Sequence, residues 1–197
     1  MSESHQNETH ERIMDVAESL FMKRGYSAVK LRDIADAVNM KHASLYYYVP
    51  KGKEQLFIAV LERSMARHKR EMERLIFEAG DDLLDQTYAV SDWLASQPPI
   101  DLVRMFESDL KQIDPEKAQR LSSLLLESLT EPFKDAFNKA ASKGIVVDNE
   151  TSMMAAMSLI TLIQSVHHIP DLNHVPDGRK VFGRRLADML LFGLLKR

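Results

Sequence analysis

No cysteine occurs among the 197 residues, so disulfide scaffolds, thiolate metal sites and cysteine nucleophiles are excluded. No apolar run approaches the roughly 20 residues that a membrane-spanning helix needs. Met1 to His10 is polar and acidic, with neither the basic start nor the apolar stretch of a secretory signal. A cytoplasmic protein with no membrane partner is the expectation. Strand patterning is equally scarce: apart from the short Ile145-Val146-Val147, nothing alternates apolar and polar over a strand's length. No repeat or low-complexity segment stands out. Charge of one sign is not in large excess, and a net −3 argues against a protein that coats nucleic acid non-specifically while leaving room for a local basic patch. No acid–base pair, nucleophile elbow or phosphate loop stands at a specific spacing, which argues against an enzyme and against a bound cofactor.

What is present reads as helix. With 45% hydrophobic and 28% charged residues the chain has the balance of an ordinary globular protein, long enough for a small domain fused to a medium one. The fold class is all-α, with about nine helices in total. From about Thr9 to Arg24, Ile13, Val16, Ala17, Leu20 and Phe21 form one apolar stripe, and Gly25 is placed to stop the helix. Short helices follow from Leu31 to Val38 and from about Lys41 to Tyr48, before Pro50 and Gly52 interrupt the chain. A long amphipathic helix begins near Lys53, carrying Phe57, Leu61, Met65, His68 and Met72 at three- and four-residue steps up to Gly80. Asp82 caps the next helix, with Leu83, Tyr88, Trp93 and Leu94, and another holds Leu102, Val103, Phe106 and Leu110. Asp114-Pro115-Glu116 is a strong helix start, and Pro132 within that helix predicts a kink or restart beside Thr130. Asp148 is expected to cap a helix reaching about His168, and Asp177-Gly178 to precede a last helix ending near Lys196. These elements divide into residues 1–52, a compact three-helix unit, and 53–197.

The sharpest signal lies between Leu31 and Val49. Ala35 is small enough to let a second helix cross closely, and Ile34, Val38, Met40 and Leu45 have the spacing to bury the angle between the two. Asn39 occupies the turn, where a left-handed backbone is often required and asparagine tolerates it. Lys41, His42, Ala43, Ser44, Tyr47 and Tyr48 are then left facing outward, as on a helix that reads DNA.

Gly25-Tyr26, Arg32-Asp33-Ile34-Ala35, Ser44-Leu45-Tyr46-Tyr47-Tyr48 and Lys53-Glu54-Gln55-Leu56 together resemble the N-terminal signature of the TetR family over about Glu11 to Leu61. Lys30, Asn39, Lys41 and Val49 depart from the residues the family usually places there. The resemblance implies a helix-turn-helix DNA-binding domain followed by a helical ligand-binding and dimerisation domain, in a regulator, by default a repressor, that binds a palindromic operator as a homodimer. On that reading Lys30, Arg32, Lys41 and Lys53 pair with phosphates, while Tyr46, Tyr47 and Tyr48 donate hydroxyls to the backbone or pack on sugars. His42 and Ser44 hydrogen-bond base edges, and Ala43 allows close approach and touches a thymine methyl. The family residue at position 46 is half buried, which ranks Tyr47 and Lys53 above Tyr46. Lys51 reads as a solvated hinge charge.

The remaining chain resembles the family in length and helix pattern. Candidates to line a pocket for a small hydrophobic or amphipathic effector are Met65, His68, Trp93, Met105, Phe106, Phe133, Phe137, Gln164 and His167, with plain core packing the competing reading for each. The last two long helices are the implied dimer surface: Met153, Met157 and Ile160 on the first, and Phe182, Leu186, Met189, Leu190 and Gly193 on the second. His167, His168, Asp171 and His174 invite a metal reading, but adjacent histidines point about 100° apart on a helix. A polar helix end with a solvated loop is the preferred reading.

Overall fold

The computed structural model describes residues 3–146 and 151–194, and every element among them is helical: nine α-helices with short 3-10 and π segments. Val147, Asp148 and Lys196, expected at element ends, lie outside the described residues. Two compact units form, one from residues up to 65 together with 101–124, the other from 66–100 together with those from 125 onward.

In the first unit, α1 (Glu3–Arg24) buries Ile13, Met14, Ala17 and Phe21 on one face. It begins a turn and a half before the predicted start because Thr9 is no cap: its hydroxyl donates to the His5 carbonyl one turn back, inside the helix. Gly25 ends it as expected, at φ +80° with its N–H returned to the Phe21 carbonyl at 2.8 Å. Helices α2 (Leu31–Ala37) and α3 (His42–Tyr48) cross over fully buried Ile34, Ala35 and Leu45. The long α4 (Gly52–Glu78) starts in this unit. Phe57 on α4 meets Phe21 edge-on at 5.1 Å between centroids and Tyr26 at 4.8 Å. Further along, Arg63 is clasped by Glu11, Asp15 and Glu18 of α1, at 2.8, 2.6 and 3.2 Å.

The expected helix through Leu102 and Leu110 is not one regular helix. A single turn, α6 (Leu102–Arg104), is capped by Asp101, whose carboxylate accepts the Arg104 N–H at 2.9 Å. It widens into a π turn over Met105–Asp109 and tightens again over Leu110–Gln112. The widening lets Met105, Asp109 and Leu110 all face inward, an arrangement that a helix of constant pitch would spread apart.

Helix α7 (Pro115–Ser142) opens at Asp114, which accepts the Lys117 N–H at 3.2 Å. It does not restart at Pro132, as expected from the lost donor. Leu125, Leu129, Phe133, Ala136 and Phe137 are buried on both sides of the proline, and this packing holds the turn that proline cannot close with a hydrogen bond.

In the second unit α5 (Leu83–Ser96) is capped by Asp82, which accepts from the Leu84 and Asp85 N–H groups. It packs against α8 (Thr151–Ser165) and α9 (Gly178–Leu194). Arg184 forks onto Asp92, with Nε to Oδ1 at 2.8 Å, and Tyr88 donates to Asp188. Gly183 is where α9 comes nearest α5: a Cβ there would lie 2.9 Å from the Ser91 hydroxyl oxygen, which is itself fully buried. Gly183→Ala is expected to lower stability by about 1–3 kcal/mol through overpacking, seen as an earlier thermal midpoint. A Gly183→Ala,Ser91→Gly double variant should recover most of the loss.

Candidate nucleic-acid interface

The turn between α2 and α3 is built as its sequence suggests, with Asn39 at φ 55° and the Met40 N–H returning to the Ala35 carbonyl at 2.8 Å. Arg12, reaching across from α1, donates to the Val38 carbonyl at 2.9 Å and so closes the C-terminal end of α2. Nothing in the sequence flags Arg12, because its partner is a main-chain oxygen that any residue at position 38 would supply.

Lysine leads both helices, and the two starts are held differently. At α2, Lys30 supplies no side-chain acceptor, but the Asp33 carboxylate accepts the Lys30 N–H at 2.8 Å, so one half of a capping box survives. At α3 the Lys41 side chain makes no cap bond. Lys41 is exposed at the positive end of the helix, where it adds attraction for phosphate.

Leu45 is the buried anchor of α3, and His42, Ala43, Ser44, Tyr46 and Tyr47 are exposed beside it. Tyr46 is 47% exposed and Tyr47 66%. The rings are mutually supported: His42 against Tyr46 at 5.1 Å and Tyr47 against the partly covered Tyr48 at 5.3 Å. Gln6, near the start of α1, donates to the Tyr47 hydroxyl at 3.1 Å. Lys30 and Arg32 lie exposed on α2 and its approach, with Arg32 3.8 Å from Asp36.

Lys53 is engaged within the chain. Its ammonium donates to the Tyr26 and Val29 carbonyls at 2.9 and 3.1 Å and lies 3.9 Å from the Tyr26 ring centroid. Burial pushes the Lys53 pKa down, with the nearby Asp109 carboxylate opposing that shift, while burial pushes the Tyr26 phenol up. These bonds give Lys53 a loop-fixing role that its place in the motif did not reveal.

The effector candidates are divided between the two units. Met65, Met105 and Phe106 belong to the first unit, with Met65 and Met105 buried. In the second, His68 meets Trp93 edge-on at 5.1 Å and Phe133 lies 6.4 Å from Phe137. Gln164 uses its side-chain oxygen to accept the Ile100 N–H at 3.2 Å. His167 Nε2 lies 3.2 Å from the Leu94 carbonyl, which places its proton on Nε2. A cleft of about 490 Å³ in the second unit is lined by Glu73, Phe77, Asp81, Asp135 and Lys139 among others. Among the described residues no three histidine or carboxylate side chains stand close enough to hold a metal ion, and no helix is long and apolar enough to cross a membrane.

Of the expected dimer residues, Ile160 is the exception: it is 2% exposed and packs inside its own unit. Met153, Met157 and Met189 are exposed, Phe182, Leu186 and Leu190 are partly covered, and the surroundings of Gly193 lie outside the described residues. Met154 and Phe192, 65% and 69% exposed, extend this apolar face beyond the residues that periodicity selected. An apolar groove of about 750 Å³ runs along it, lined by Met153, Met154, Met157, Thr161, Leu162 and Leu190 with Ser158.

A bihelical unit with an exposed second helix over a buried leucine has the form of a helix-turn-helix, in which the second helix is the one offered to DNA. The sequence profile of bacterial regulatory proteins of the tetR family matches residues 13–60, the span that holds the helix-turn-helix. No curated protein matches it in sequence. Solved structures share the fold over nearly its whole length. A TetR transcriptional regulator from Legionella pneumophila has 24% identity and a TM-score of 0.73, with 98% of each chain covered. SmeT, the repressor of a Stenotrophomonas maltophilia multidrug efflux pump, has 18% identity and a TM-score of 0.60, covering 95% of this chain and 90% of its own. AibR, solved with isovaleryl coenzyme A and operator DNA, has 17% identity and a TM-score of 0.68, covering 95% and 98%.

One pH dependence follows from His167. Burial is the main cause that depresses its pKa, aided by Arg179 and His168 and opposed by the Leu94 hydrogen bond. Protons therefore bind the unfolded chain more readily between the depressed value and the ordinary one near about 6.5, so stability is lost as pH falls through that window. In thermal melts at about pH 7.5 and about pH 5, His167→Gln is expected to lose less stability on acidification than the unaltered chain.

Proposed function

We propose that this regulator is a ligand-responsive repressor that binds a palindromic operator as a homodimer, with residues 1–52 reading DNA and 53–197 sensing and dimerising. The observation that carries the DNA-reading part is the surface of α3: His42, Ala43, Ser44 and Tyr47 stand exposed together on a helix anchored by buried Leu45. Lys30, Arg32 and Lys41 set affinity and register through phosphates, and His42 and Ser44 set preference through base edges. One such helix reads only a few base pairs, which is why two copies are needed.

Dimerisation is supported by the apolar face of α8 and α9. Met154, Met189 and Phe192 are each more than three-fifths exposed, an arrangement that costs a lone chain and suits a self-complementary two-fold contact. A ligand role is supported by the neighbouring His68–Trp93 pair in the second unit, and by the similar fold of AibR, solved with isovaleryl coenzyme A, and of SmeT, solved with triclosan. The effector is small and hydrophobic or amphipathic, and α4, continuous from one unit into the other, is the lever that it tilts. An effector that prefers the non-binding conformation by about 3 kcal/mol weakens operator affinity roughly a hundredfold. The site of action is the cytoplasm.

A mobility shift on the DNA upstream of the chain's own gene, repeated over salt concentrations, tests the DNA reading. Specific binding that falls steeply with salt is expected. Tyr47→Ala should weaken it across all sequences, and His42→Ala should cost about 1–3 kcal/mol of discrimination at one base position. Binding without sequence preference would refute it. Dimerisation is tested separately by sedimentation: twice the chain mass is expected at micromolar concentration, and Met189→Glu should shift the population toward monomer and weaken operator binding with it.

A further inference from the structure

We propose that Asp109 and Arg104 are positioning residues for DNA reading, which grip the loop between α1 and α2 and so set the angle at which α3 meets DNA. This rests on the operator-binding reading above. Asp109 is 2% exposed, a burial that a carboxylate tolerates only when its charge is answered. Its Oδ1 accepts the Tyr26 N–H at 2.8 Å, and its Oδ2 lies 3.4 Å from Arg104 Nε. Arg104 extends the same grip: Nη2 donates to the Met22 carbonyl and lies 3.4 Å from that of Phe21, among the last carbonyls of α1.

Close approach at this point depends on Gly25. At φ +80° any side chain would be strained, and a Cβ would sit 2.9 Å from Asp109 Oδ1. From its other side the loop is held by Lys53, which donates to the Tyr26 and Val29 carbonyls. The residues from Gly25 to Lys30 are thus fixed by a donor from α4 and an acceptor from the π turn, directly before α2 begins at Leu31. The π turn acquires a purpose in this arrangement, since it turns Asp109 and Met105 inward together.

Cutting the grip would leave the α2–α3 pair packed on α1 through Ile34 and Leu45 but free to rock. Base-edge hydrogen bonds tolerate shifts of only a few tenths of an ångström, whereas lysine and arginine side chains follow a phosphate through larger ones. The signature of a positioning role is therefore lost preference with retained general affinity. A purely structural role would lower both together as the unit unfolds.

The test uses the full chain with two duplexes: one that the unaltered chain selects from a randomised pool, and a shuffled one of equal length. Asp109→Ala is expected to weaken binding to the selected duplex at least tenfold while changing binding to the shuffled duplex less than twofold. Hydrogen exchange at the Tyr26 amide should accelerate in the same variant. Arg104→Lys, which keeps the positive charge beside Asp109 but cannot fork onto the α1 carbonyls, should lose at least threefold on the selected duplex only. Unchanged preference in Asp109→Ala despite faster Tyr26 exchange overturns the proposal. If Asp109→Ala fails to fold, Arg104→Lys decides alone, and unaltered preference in it overturns the proposal equally. Failure of the unaltered chain to select any duplex would instead sink the operator-binding reading.

Discussion

The three rings of Phe21, Tyr26 and Phe57, packed at 4.8 to 6.2 Å, are the contact around which the first unit is arranged. They join the end of α1, the loop that follows it and the start of α4, three places far apart along the chain. Polar groups are then layered on the cluster: Lys53 lies over the Tyr26 ring, and Asp109 takes the Tyr26 amide. A hydrophobic cluster resists compression more than bending, and the directional bonds around it remove the remaining freedom. The angle of α3 is the sum of these restraints.

Around that cluster the helix-turn-helix has no side-chain cap bond from the residue that leads either helix. Lysine stands at both helix starts, yet α2 retains half a capping box through Asp33, and its far end is closed by Arg12. The exposed lysines face the side where phosphate is expected, so capping and positive charge are divided among different residues. Arg63, ringed by three carboxylates of α1, ties the long helix to the first one and makes that junction electrostatic as well as apolar.

The second unit follows a different logic. Its polar residues mostly serve packing: Gln164 holds a main-chain amide, Asp92 and Asp188 pin α5 to α9, and Gly183 brings those helices close. The large exposed apolar side chains of this unit include those of the methionine-rich face of α8 and α9.

Local chemistry wrote much of this architecture legibly into the sequence. Gly25, Asn39, Asp82 and Asp114 mark turns and caps through their own conformational or hydrogen-bonding preferences, and Ile34, Ala35 and Leu45 mark the crossing of α2 and α3 through spacing alone. The tertiary structure decided what depends on partners distant in the chain. Ile160 lies in the core and Met154 on the surface although both are apolar and on one helix, because helical period gives an angle but not which neighbour fills it. The unbroken passage through Pro132, the π turn at Met105–Asp109 and the use of Lys53, Arg12 and Asp109 on main-chain atoms share that cause. A backbone carbonyl or amide is the same at every position, so only folding determines which side chain will find it.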